Sequence, residues 1–142
     1  MARGAVIELQ EPVHRLPYRV LYGDTDKAGV VYYGTYMRLF EAGRTEYLRD
    51  LCGMTYSGME REGVLLPVTE AYCRYKSSAR YDELLEIHTA IDSISKVSIR
   101  FNYRIVHEDS ERLVAQGYTV HAAVGSDGKL TRLPQWVLRL KS

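Results

Sequence analysis

The 142-residue sequence predicts a single α+β domain in which one long helix covers an antiparallel sheet. Apolar residues recur at spacings of three and four between Tyr36 and Leu51, which is the period of an amphipathic helix. From Val64 onward the pattern changes to alternation, and the run from Val97 to Ile105 alternates most regularly. A sheet with one apolar face needs a cover, and a single helix of about five turns supplies it.

The first element is a strand that alternates through Tyr18, Val20 and Tyr22. Before it, residues 1–16 are polar and irregular, so we expect a flexible leader there and one domain over residues 17–142. The helix is predicted over 35–52, because Gly53 follows as a natural stop.

Gly43 lies inside the apolar stripe of this helix, where glycine costs about 1 kcal/mol relative to alanine. We therefore expect a strand to approach the helix backbone closely at Gly43. After a polar connection over 54–63, alternation predicts four or five further strands, and Pro67 indicates an edge or a bulge in the first of them. The predicted segments are strands at 64–75, 84–94, 97–105 and 113–124, and a short C-terminal helix that begins at Pro134.

Composition excludes several classes of function. The chain is 46% hydrophobic and 26% charged, with a formal net charge of +1 and both signs interspersed. This balance is typical of globular proteins and argues against a nucleic-acid partner. No stretch reaches the length of a membrane-spanning helix and the first ten residues lack a signal-peptide core, so we expect no integral membrane segment and a cytoplasmic location.

The sequence indicates neither a metal site nor a bound cofactor. The four histidines are scattered, and the glycine-rich motifs of nucleotide-binding loops are absent. Cys52 and Cys73 are expected to remain thiols, because nothing indicates secretion.

The stretch from Tyr18 to Tyr36 carries the candidate chemistry. Asp26 follows the end of a strand, and a helix N-terminus comes seven residues later. Acyl transfer needs an anionic oxygen that attacks or activates water, together with N–H donors for the developing oxyanion. Helix N-termini have unpaired N–H groups and a partial positive charge. Asp-Thr-Asp before a glycine is also ordinary turn chemistry, so spacing alone does not decide the role.

A longer pattern, R-V-x-x-x-x-T-D-x-x-G-V-V-x-Y-x-x-Y from Arg19 to Tyr36, resembles the active-site signature of the 4-hydroxybenzoyl-CoA thioesterase family. The similarity continues in F-E-A-G-R-T-E-Y-L-R, Y-K-S-S-A-R-Y-D-E and T-R-L-P, and it is strongest to the bacterial acyl-CoA thioesterases associated with the Tol–Pal envelope system. Tyr33 stands where that branch usually has histidine, and Ser78 where it often has proline.

The resemblance implies the hotdog fold, a curved antiparallel sheet of five to six strands wrapped around one long central helix. It also implies hydrolysis of an acyl-CoA, with an aliphatic acyl group favoured by the Tol–Pal-type motifs. Asp26 takes the catalytic carboxylate position, as nucleophile or general base, and the backbone N–H of Tyr33 polarises the thioester carbonyl. We expect Tyr32 and Tyr36 to form pocket wall, since an ordinary tyrosine pKa is near 10.

The family also implies an acyl-CoA substrate bound between two subunits, so we expect a homodimer or homotetramer. Cations are needed for the CoA phosphates, and Arg132 together with Lys96 or Arg100 are candidates, although each could be an ordinary surface charge.

Alternatives remain open at this stage. Asp24 is a rival carboxylate, for which we favour a structural role, and Glu41 is a minor catalytic candidate because some related thioesterases have a catalytic glutamate on this helix. The domain could instead be a dehydratase of 3-hydroxyacyl thioesters, although no histidine lies within the signature. A non-catalytic protein that binds acyl thioesters or belongs to the envelope is the third possibility.

Overall fold

The computed structural model describes residues 6–140. Within that range the chain forms five strands and three α-helices, with one 3₁₀ turn at Tyr22–Asp24. In chain order these elements are β1 (His14–Arg19), α1 (Thr35–Cys52), α2 (Tyr56–Arg61), β2 (Val68–Tyr75), β3 (Leu84–Ile94), β4 (Ser98–His107), β5 (Leu113–Ala122) and α3 (Gln135–Arg139).

The five strands form one antiparallel sheet in the order β1-β3-β4-β5-β2, and α1 packs against β1, β3 and β4. This is the predicted hotdog arrangement of one sheet around one long helix. The core lies between them, where the Phe40 ring of α1 stacks on the Tyr103 ring of β4 with centroids 4.2 Å apart.

The close approach predicted at Gly43 is confirmed. A Cβ atom built there would lie 2.3 Å from Thr89 Oγ1 and 2.8 Å from Ile87 Cγ2, so only glycine allows α1 to lie this near to β3. The end of α1 is confirmed as well, because Gly53 adopts a left-handed conformation with φ of 65°.

The N-terminal boundary differs from the prediction. Strand β1 begins at His14, inside the segment 1–16 that was expected to be a leader, and ends before Tyr22. Pro17 is accommodated because β1 is an edge strand. Ahead of it, Ile7 donates its N–H to Gln116 Oε1 and Glu8 accepts from Asn102 Nδ2. Ile7 and Glu8 therefore lie against the face of the sheet that α1 does not cover, while residues 1–5 are outside the described range.

Two further predictions are refined. The connection over 54–63 contains α2, whose N-terminus is capped by Thr55 Oγ1 accepting from Gly58 N–H. Pro67 precedes β2, which is both an edge strand and irregular near Val68.

Cys52 and Cys73 are free thiols. No helix within residues 6–140 is long and apolar enough to cross a membrane.

Candidate active site

Asp24 is the buried anchor of the predicted active-site stretch. Its side chain is almost fully buried and accepts hydrogen bonds from Tyr18 Oη at 2.7 Å, Leu21 N at 2.8 Å and Arg38 Nη2 at 2.7 Å. Its carbonyl accepts from Tyr32 N at 2.8 Å. With its oxygens engaged in this way, Asp24 fixes the path from β1 to α1.

Asp26 occupies the tip of the loop that Asp24 anchors. Its backbone N–H donates to Val30 O at 2.9 Å, and its carbonyl accepts from Gly29 N at 2.9 Å. The side chain is exposed, and Oδ1 accepts from Ala28 N–H at 2.9 Å. Oδ2 accepts no hydrogen bond from any residue of the 6–140 range, so it is available to a substrate or to water.

Tyr33 lies in the turn that leads into α1. Among the described residues, no acceptor takes the backbone N–H of Tyr33 or of Gly34. Both groups belong to the start of an 18-residue helix, where unpaired N–H donors attract negative charge. Asp26 pairs with Val30, and three residues of extended chain, about 10 Å at most, separate Val30 from Tyr33.

A pocket of about 280 Å³ lies beside this turn. Aromatic rings form much of its wall, since Tyr36 and Tyr75 have centroids 5.5 Å apart and Tyr75 Oη donates to Tyr33 O at 3.2 Å. The lining residues are Val30, Val31, Tyr33, Tyr36, Tyr75, Lys76, Ser77 and Ser78.

The tyrosines of this region are held in the protonated state. Burial raises the pKa of Tyr36 to about 12, and the neighbouring Cys73 and Tyr75 contribute to this rise in pKa. A hydrogen bond with Tyr33 raises the pKa of the exposed Tyr32 phenol. Both phenols therefore stay neutral near pH 7, in keeping with roles in contact and packing. Tyr32 does not line the pocket; its ring lies 4.5 Å from that of Tyr33.

The cations that the sequence offered for CoA phosphates are at the other end of the sheet. Lys96 lies in the β3–β4 turn, and its carbonyl accepts from Leu133 N at 2.9 Å, which brings the neighbouring Arg132 close to it. Asp26 and Tyr33 lie at the opposite end of the sheet, where β1 ends at Arg19 and β2 ends at Tyr75. The ten residues of β4 span the distance between these ends, about 30 Å.

Neither Arg100 nor Glu41 is placed in this pocket. The Arg100 guanidinium lies 3.8 Å from the Tyr118 ring centroid on the outer face of the sheet, and Glu41 is exposed on α1. Larger cavities of about 390 and 480 Å³ lie against residues 6–13 and include neither Asp26 nor Tyr33.

Sequence reasoning missed the residues behind the pocket. The Arg112 guanidinium donates to Ser77 Oγ and Ser78 O, and His107 lies beside it. The segment from Tyr75 to Glu83 contributed to the family resemblance, but its spacing indicated no contact with a residue more than thirty positions away.

Comparison with known proteins decides the family. Residues 20–140 match the Thioesterase-like superfamily. The chain belongs to this superfamily. It is 38% identical over 99 residues to the acyl-CoA thioester hydrolase YbgC of Escherichia coli, a match that covers 70% of this chain and 73% of that protein. As a member of the thioesterase-like superfamily with relatives of this kind, the protein is an enzyme, a thioester hydrolase.

Solved structures agree on the fold. A DHNA-CoA thioesterase from Staphylococcus aureus superposes with a TM-score of 0.82 at 30% identity, covering 90% of this chain and 85% of that one. A 4-hydroxybenzoyl CoA thioesterase mutant in complex with 4-hydroxybenzoyl CoA has the same TM-score of 0.82 at 22% identity, with coverages of 92% and 99%. The predicted hotdog thioesterase fold is therefore confirmed.

Proposed function

We propose that the protein hydrolyses acyl-CoA thioesters to a free acid and CoA. Two features support the proposal: an accessible carboxylate oxygen on Asp26, and an unpaired N–H on Tyr33, which lines an apolar pocket. A thioester carbonyl that accepts from the Tyr33 N–H would develop its negative charge at the positive end of α1.

Asp26 then acts in one of two ways. As a nucleophile, it adds to the carbonyl and expels the CoA thiolate, and water hydrolyses the resulting anhydride. As a general base, it takes a proton from the water that attacks directly. In a single turnover in ¹⁸O-labelled water, label in the Asp26 carboxylate identifies the first route with water attacking the Asp26 carbonyl of the anhydride, whereas the second route labels only the product acid.

The tyrosine pocket accepts the acyl group in this proposal, with Tyr36 as wall and Tyr32 supporting Tyr33. An aliphatic acyl group is favoured because the motifs are most similar to the Tol–Pal-associated branch. The cytoplasmic location expected from the sequence remains a prediction.

Lys96 and Arg132 are far from the pocket within one chain, but those of a second subunit could lie near it. Strand β2 is an edge strand whose residues are mostly exposed, among them Val68 and Tyr72. If two β2 strands paired antiparallel about a two-fold axis, the Val68 end of one would lie beside the Tyr75 end of the other. Lys96 and Arg132 of one subunit would then approach the pocket of the other, where they could bind CoA phosphates. Sedimentation that gives a fully active monomer of about 16 kDa would exclude this arrangement.

Incubation of the purified protein with a panel of acyl-CoAs and a thiol reagent tests the proposal. Release of the CoA thiol is the expected result. Hydration or dehydration of an enoyl or 3-hydroxyacyl substrate without thiol release would instead identify a dehydratase, and binding without turnover would identify a non-catalytic protein. Preference for benzoyl-type over aliphatic esters by more than about tenfold in kcat/KM, or 1.4 kcal/mol, would overturn the aliphatic assignment.

A further inference from the structure

The connection between β2 and β3, residues 76–83, supports both sides of the candidate site. It contributes Ser77 and Ser78 to the pocket wall. Its Ala79 carbonyl accepts from Val31 N at 2.8 Å, and Arg80 forms an isolated β-bridge with Val30. The connection has no other regular structure, so its position depends on what anchors it to the sheet.

One anchor lies at the start of this connection. Arg112, in the turn between β4 and β5, donates through Nη1 to Ser77 Oγ and to Ser78 O, the second at 3.1 Å. Ser77 Oγ in turn donates to Leu113 O at 2.7 Å. The guanidinium therefore ties the pocket wall to the β4–β5 turn.

The same guanidinium also contacts His107, which lies next to the end of the connection. Arg112 Nη2 donates to His107 Nε2, which must then be the unprotonated ring nitrogen. Glu83 Oε1 lies 3.3 Å from that nitrogen and accepts from Arg80 N–H at 2.7 Å. An unprotonated Nε2 cannot donate to Glu83, so the end of the connection lies next to His107 and is held by the backbone hydrogen bonds of Asp82 and Glu83 with Val20.

Arg80 connects residues 76–83 to the loop that contains Asp26. Its Nη1 donates to Gly29 O at 3.4 Å, and Gly29 donates its own N–H to Asp26 O at 2.9 Å. A series of contacts therefore leads from Arg112 through Ser78 and, two residues later, Arg80 to the loop that presents Asp26.

We infer that Arg112 is a positioning residue for thioester hydrolysis, which holds residues 76–83 so that the Asp26 loop and the pocket wall keep their relative placement. Arg112 is itself exposed and lies outside the core, so its role is in aligning these two segments. Alignment matters because a displacement of about 1 Å at reacting groups can lower a rate about 100-fold. Only the expected change in kcat rests on the proposed function.

Arg112→Gln tests it, with Arg112→Lys as the conservative variant and Arg61→Gln, an exposed arginine of α2, as the matched control. We expect Arg112→Gln to lower kcat by about tenfold or more while KM changes by less than threefold. Hydrogen exchange followed by mass spectrometry should become faster in peptides that cover 24–33 and 76–83 and stay unchanged in β3 and β4. Lysine can replace only some of the N–H donors of the guanidinium, so Arg112→Lys should restore part of kcat. Arg61→Gln should match the wild type.

Three results would overturn the inference. They are wild-type kcat in Arg112→Gln, a lower kcat with unchanged exchange in both peptides, and faster exchange throughout the sheet. The second would mean that Arg112 acts on the substrate, and the third that it only stabilises the fold. The exchange measurements need no substrate, so a wild-type protein that hydrolyses no acyl-CoA would refute the proposed function while leaving the contacts of Arg112 testable.

Discussion

Asp24 Oδ1 lies 2.7 Å from Arg38 Nη2, and this contact joins the loop after β1 to the first turns of α1. The side chain of Asp24 is only 2% exposed, whereas that of Arg38 is 62% exposed. Solvent therefore weakens the attraction between the two charges. The hydrogen bonds from Tyr18 and Leu21 also stabilise the position of the Asp24 side chain. Asp24 and Asp26 are two residues apart but have different surroundings, because Asp24 is buried and Asp26 is exposed.

Asp26→Asn should fold with the wild-type melting temperature and lose most of its turnover, because the attacking or activating oxygen is replaced by an amide. Asp24→Asn should instead lower the free energy of unfolding by about 2 kcal/mol, since three donors face a neutral group that can accept through one oxygen only. Steady-state kinetics and urea unfolding of both variants check this pair. The assignment is reversed if Asp26→Asn keeps near-wild-type turnover while folded Asp24→Asn loses it.

Tyr33→His should retain hydrolysis, because the proposed oxyanion donor is the backbone N–H, which the substitution leaves in place. The ring that lies 4.5 Å from Tyr32 and 6.3 Å from Tyr75 is changed, so acyl-chain preference can shift. The measurement is kcat/KM over a series of aliphatic chain lengths. If turnover instead falls about 100-fold or more for every chain length while the fold stays intact, the phenol itself takes part in the reaction.

Gly43→Ala should destabilise the protein by about 1–3 kcal/mol, despite the better helix propensity of alanine, because the new Cβ would overlap Thr89 Oγ1 and Ile87 Cγ2. Thr89→Ala removes the nearer of these contacts, so the double variant should recover part of the loss. Urea unfolding of the four proteins gives the coupling energy. Independent, additive effects would show that α1 and β3 are not in tight contact at this point.

His121 should make stability fall in acid. Its side chain is fully buried, with Nε2 2.8 Å from Thr119 Oγ1 and Nδ1 3.0 Å from Leu66 O, and burial lowers its pKa from 6.5 to about 4. The unfolded chain binds this proton more readily, so the stabilisation is present above pH 6.5 and is lost as the pH falls toward 4. The shift corresponds to about 3 kcal/mol.

Urea unfolding of wild type and His121→Gln between pH 4 and 8 checks this dependence. The free-energy difference between them should decrease as the pH falls from 6.5 to 4, whereas carboxylates titrate in both proteins and cancel. A difference that stays constant over this range would mean that His121 titrates alike in the folded and unfolded states.

The regular elements with strong periodicity were predicted well from the sequence. The bounds 35–52 of α1 and 84–94 of β3 match the structure, because many buried positions along each element reinforce one period. The six-residue α2 was missed because its length is too short for a period to be seen, although Thr55 is a typical N-cap residue. The start of β1 was missed because Pro12 and Pro17 suggested irregular chain.

The site was predictable only where its residues are close in sequence. The loop with Asp26 and the helix start at Tyr33 are parts of one stretch, so local spacing indicated both. Lys96 and Arg132 could not be placed, because local sequence does not say at which end of the sheet a turn lies. Arg112 was missed for the same reason: its contacts with Ser77 and Ser78 depend on strand order.

Hydrogen bonds from Ile7 and to Glu8 place these two residues on the outer face of the sheet. The amide side chains of Asn102 and Gln116 are nearly inaccessible there. A truncated protein that began at residue 17, where the sequence suggested the domain starts, would lose half of an edge strand and expose both amides to water. Protein engineering should therefore keep residues from Val6 onward and attach affinity tags or fusion partners ahead of them.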